Sequence, residues 1–115
     1  MSRFFIAVVA CVLACGVCAS ASTPTRSGAV SALVSYERSH EHNTDVEQPA
    51  CFVLQTWAQC SFGTGHGNAE VNAWLHFKNG AWKFLGSGGG VTNAAMLEKS
   101  YGIPALIARQ FQAKQ

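Results

Sequence analysis

The chain has 115 residues, a formal net charge of +2 and 49% hydrophobic residues. That is enough for one small packed domain and too little for two. The near balance of charge excludes the clustered basic surface that phosphate binding requires, so nucleic acid is not an expected partner.

Residues 1–21 read as an export signal. Arg3 supplies a positive start, Phe4 to Ala14 an apolar stretch too short to span a bilayer, and Ala19-Ser20-Ala21 the small-x-small pattern of a cleavage site. Val12-Leu13-Ala14-Cys15 loosely follows a lipobox, but Leu13 is unusual directly before the small residue, and cleavage after Ala21 is expected instead. Removing residues 1 to 21 from 115 leaves a mature domain, residues 22–115, of 94 residues with seven Lys and Arg against six Asp and Glu. No later apolar run is long enough to cross a membrane, so a periplasmic or secreted protein without a membrane span is expected.

Residues 22–27 are polar and should fray. From Ser27 to about Arg38, the spacing of Val30, Leu33, Val34 and Glu37 predicts a helix with Ser27 as N-cap, although Val30, Ala32, Val34 and Tyr36 also fit a strand. Residues 39–50 are polar, carry much of the acidic charge and end in Gln48-Pro49, which predicts a flexible connection.

Residues 51–60 contain no turn former and predict one continuous strand. Nine steps of ~3.3 Å would then separate Cys51 and Cys60 by roughly 30 Å and put them on opposite sheet faces. A disulfide needs Cα atoms within about 7 Å, so mutual pairing is expected only if the strand is shorter than it reads. Gly63 to Gly67 predict a loop. Glu70 to Lys78 and Ala81 to Leu85 alternate about Asn79-Gly80, the preferred dipeptide of a tight type I′ hairpin. A two-residue loop sets Lys78 opposite Ala81, Phe77 opposite Trp82, His76 opposite Lys83, Leu75 opposite Phe84 and Trp74 opposite Leu85. Val71, Ala73, Leu75, Phe77, Trp82 and Phe84 then form the core face. Thr92 or Asn93 should cap a short helix ended by Gly102, and Pro104 should open a last helix that buries Leu106, Ile107 and Phe111. The expected fold is α+β: a three-stranded antiparallel meander packed with an N-terminal helix and two short C-terminal helices, leaving one sheet face uncovered.

From Phe52 to about Arg109 the chain resembles a loose group of small exported bacterial proteins. The likeness rests on Val53-Leu54-Gln55-Thr56-Trp57, the Gly63 to Gly67 loop, Asn79-Gly80-Ala81-Trp82, Gly88-Gly89-Gly90, and the Gly102-Ile103-Pro104 joint. The resemblance implies the same fold. Some members carry a copper-uptake label that assigns no chemistry, and it does not extend to His40 and His42, which lie outside the matching stretch.

Chemistry is sparse along the chain. His40 and His42 lie two apart in a polar segment and could present imidazoles to copper or another transition metal, but a closed site needs further ligands such as Asp45 or Glu47. A solvated linker that binds metal weakly is the expectation, so no cofactor is expected, with copper the alternative. Cys51, Cys60, His66 and His76 lack the spacing of a metal cluster. No nucleophile occupies a recognisable elbow and no carboxylate pair is placed by a motif, so catalysis is not expected. The outer sheet face is more informative. Trp57, Trp74, His76 and Lys83 all leave the core face by parity, and tryptophan is enriched at binding hot spots. The alternative is that a helix, residues 28–38 foremost, covers this face and makes it a second core. The expected function is a non-enzymatic exported protein that binds a protein or small polar ligand through this face, as a periplasmic inhibitor or immunity protein would. Copper handling through His40 and His42 is the alternative.

Overall fold

A computed structural model describes residues 23–65 and 70–115. The expected signal segment, residues 1–21, and His66 and Gly67 of the glycine loop lie outside the described residues. The elements in order are α1 (Arg26–His40), β1 (Glu47–Leu54), β2 (Trp57–Gly63), β3 (Glu70–Lys78), β4 (Ala81–Gly89), α2 (Ala94–Tyr101) and α3 (Ala105–Lys114). The fold is α+β, with a four-stranded antiparallel sheet in the order β1-β2-β3-β4. Among the described residues no helix is long and apolar enough to cross a membrane.

The fourth strand corrects the reading of residues 51–60. The chain reverses at Gln55-Thr56, so β1 and β2 form a hairpin in which Leu54 faces Trp57 and Cys51 faces Cys60. Gln55 adopts φ 56°, a left-handed conformation usually given to glycine or asparagine, which is why no turn signal marks the site. The reversal brings Cys51 and Cys60 together with Cα atoms 4.0 Å apart, and they form a disulfide. The expected separation of the two cysteines fails because it presumed an unbroken strand.

The Asn79-Gly80 hairpin forms as read, with both residues left-handed at φ 54° and 79°. Lys78–Ala81, Phe77–Trp82, His76–Lys83 and Leu75–Phe84 are all in the expected register. One residue further the register shifts, and Trp74 pairs with Gly86 rather than Leu85. The bulge sets a glycine beneath α2. A Cβ at position 86 would come within 2.7 Å of the Tyr101 ring, so the missing side chain admits that ring.

Helix α1 is capped by Thr25, not Ser27: the Thr25 Oγ1 accepts a hydrogen bond from the Gly28 amide at 3.0 Å. The helix continues to His40 and β1 begins at Glu47, so the connection is only residues 41–46 rather than 39–50. Ala29 and Leu33 of α1 are buried against Cys51, Ala58, Cys60, Phe62, Ala73 and Leu75. Trp82 and Phe84 pack partly buried on the same cluster, and Tyr36 stacks on Phe84 at 3.7 Å. This is the expected core face.

The opposite face is covered too, which corrects the expectation of an open sheet. Leu97 of α2, Ile103 of the joint and Ile107, Ala108 and Phe111 of α3 bury Trp74, with Phe52, Leu54, Trp57 and Leu85 packed around them. Asn93 caps α2 by accepting from the Met96 amide at 2.9 Å, and Gly102 ends it in the left-handed region at φ 72°. Leu106, expected inside, is 69% exposed.

Candidate functional site

The four residues expected to form an outer face divide between interior and rim. Trp74 is 1% exposed and belongs to the second core, so it is not part of an open outer face. Its indole N–H donates to Gln59 Oε1 at 2.8 Å, while Gln59 Nε2 donates to the Phe111 carbonyl at 2.8 Å. Gln115 Nε2 donates to the same Gln59 oxygen at 3.1 Å and to the Thr92 carbonyl at 3.0 Å, and the Thr92 amide donates to Gln115 Oε1 at 2.7 Å. Gln59 is therefore a buried hub that satisfies the tryptophan and a carbonyl in the last turn of α3, where helical partners run out. A polar residue between the buried Ala58 and Cys60 was the available sign of this role.

Trp57, His76 and Lys83 come together. Leu54 pairs with Trp57, Trp57 with His76, and His76 with Lys83, so these residues form one row across all four strands beside the two tight turns. The C-terminal helices cover the sheet further in and leave this row at the rim. Trp57 and His76 are half-buried and stacked, with ring centroids 3.8 Å apart and planes 10° from parallel, and Lys83 is exposed. Lys78, two residues from His76 on the same strand face, adds a second exposed ammonium.

Burial first, and the charge of Lys78 second, hold the His76 pKa below its ordinary value of 6.5. The imidazole is thus neutral at pH 7 and offers one donor, one acceptor and a flat face, while the lysines carry the charge. Because the native pKa is depressed, His76 contributes stability that is complete above pH 6.5 and is lost as pH falls toward and through the native pKa. An NMR titration of the His76 ring should give a midpoint below 6.5, and Lys78→Ala should move it upward. A midpoint at or above 6.5 would contradict the stacked, desolvated environment.

His40 and His42 sit in different surroundings. His40 stacks on Tyr36 at 4.3 Å and its Nδ1 is 2.9 Å from Ser39 Oγ, whereas His42 follows the helix in a left-handed conformation at φ 55°. Among the described residues no three His, Cys, Asp or Glu side chains are placed to hold a metal ion, and the thiols of Cys51 and Cys60 are committed to their disulfide.

No protein-family model, curated protein or solved structure matches the chain.

Proposed function

We propose that this is a non-enzymatic exported protein that binds an acidic group of a protein or small polar ligand at the rim formed by Trp57, His76 and Lys83. The observation that carries the reading is the half-exposed Trp57–His76 stack, set in register with Lys83. A tryptophan held flat against a second ring presents a large apolar surface with little rotamer entropy left to lose, as binding hot spots do. The neutral imidazole leaves Lys83 and Lys78 as the positive charges, which suits a carboxylate laid beside the ring. The export signal in the sequence and the disulfide both suit an oxidising compartment, periplasmic or extracellular. Inhibition or immunity in the cell envelope is the activity such a rim would serve.

The test is affinity capture from envelope extract with wild type, Lys83→Ala and Trp57→Ala, with thermal stability measured on each. Lys83 is exposed, so its loss should change stability by no more than about 0.5 kcal/mol while weakening capture, most visibly at low salt. Trp57→Ala should weaken capture by about thirtyfold, the cost of losing a hot-spot residue. Capture that is unchanged by both substitutions would refute the assignment.

A further inference from the structure

Both edges of the sheet carry some protection, but on β4 it stops short of the C-terminal half. An exposed edge strand is a template for a further strand unless proline, charge or a bulge blunts it. On β1, Pro49 removes a donor, Gln48 is left-handed at φ 46°, and the register is irregular between Glu47 and Ala50. On β4 the bulge after Phe84 separates two halves. The first half carries Lys83, the strand's only charge, and the second is Gly86-Ser87-Gly88-Gly89, without proline and almost without side chains. Among the described residues no backbone hydrogen bond outside the β3–β4 ladder reaches this strand.

Beside this edge lies a cleft of about 450 Å³ of mixed lining, with Trp74, Val91, Met96 and Tyr101 as its apolar residues and Thr92 and Ser100 among its polar ones. Val91 is 73% and Met96 54% exposed, which places two large apolar side chains in solvent at the cleft mouth. We infer that the glycine half of β4 is a strand-addition site for an extended apolar peptide segment of a partner protein, with a carboxylate set against Lys83. Backbone pairing supplies the attraction and the cleft receives one or two side chains of the added strand. A second copy of this chain is the weaker occupant. Pairing two such edges sets glycine against glycine, with none of the cross-strand side-chain pairs that stabilise a sheet. The glycine half and the cleft lie apart from the Trp57–His76 stack, and Lys83 is the one residue the two sites share.

The test uses the full disulfide-bonded protein and a labelled nine-residue peptide of alternating valine and threonine with a glutamate at each end. Saturable binding is expected, with amide exchange slowed at residues 86–89. N-methylation of the peptide backbone should weaken it by about tenfold or more, as lost backbone hydrogen bonds require. Met96→Glu, at an exposed position, should weaken it similarly with unchanged thermal stability, whereas Trp57→Ala should leave it intact. The inference is overturned by no saturable binding, by indifference to N-methylation, by protection confined to the Trp57–His76 rim, or by a dimer closed through β4 without peptide.

Discussion

Trp74→Ala is expected to lower the free energy of unfolding by about 3–5 kcal/mol, the cost of emptying a large aromatic site in a core that cannot collapse around it. The indole is buried between the sheet and α2, stacked near Tyr101 at 5.4 Å, and it anchors Gln59. Gln59→Leu separates the two contributions. It keeps the packing volume close to native but leaves the Trp74 N–H and the Phe111 carbonyl without partners, for a loss of about 2–4 kcal/mol. Trp74→Phe should fall below both, because Gln59 Oε1 still accepts from Gln115. Chemical denaturation of the three variants checks the order. If Trp74→Ala moved stability by no more than about 0.5 kcal/mol, as a surface substitution does, the C-terminal helices would not cover this face.

What the sequence made legible follows from which residues announce their conformation. Asn79-Gly80 names its own turn, because a type I′ reversal needs two left-handed residues and this dipeptide tolerates both. Four cross-strand pairs follow from it, and the register then fails at a bulge that only Gly86 hints at. The Gln55-Thr56 reversal was invisible for the opposite reason. A glutamine holds the left-handed position, and the apolar run on both sides reads as a single strand. That one hidden turn altered the strand count and the fate of both cysteines, and left Trp57 on its expected face. Of the expected site, Trp57, His76 and Lys83 share a row because parity and register were right from His76 to Lys83. Trp74 has the same parity and is nonetheless interior, since alternation tells which face a residue takes and not which helix lies over it. The short helices α2 and α3 gave no sign of where they dock.

The hidden turn also makes the disulfide the covalent support of an edge strand, and its removal should cost about 2–4 kcal/mol. The bridge closes a loop of about ten residues, for which the lost chain entropy of the unfolded state alone is worth nearly 3 kcal/mol. Both sulfurs lie in the first core, with Cys51 6% and Cys60 0% exposed, so the pair also fills volume beneath α1. For a domain of this size the loss corresponds to a fall in melting temperature of about 10–20 °C. Reduction with dithiothreitol and the double variant Cys51→Ala with Cys60→Ala should give falls of similar size, the variant somewhat more because it also removes the sulfurs from the core. Amide exchange should locate the damage. Without the bridge, β1 is held by its ladder to β2, by α1 and by the packing of Phe52 and Leu54 on the second core. As an edge strand it nonetheless has a ladder on one side alone, so its amides should lose protection first while the β3–β4 hairpin keeps its own. A reduced protein that melts where the oxidised one does would show that β1 does not need the bridge. Uniform loss of protection across all four strands would show instead that the sheet unfolds as one unit, with the disulfide acting on the unfolded chain alone.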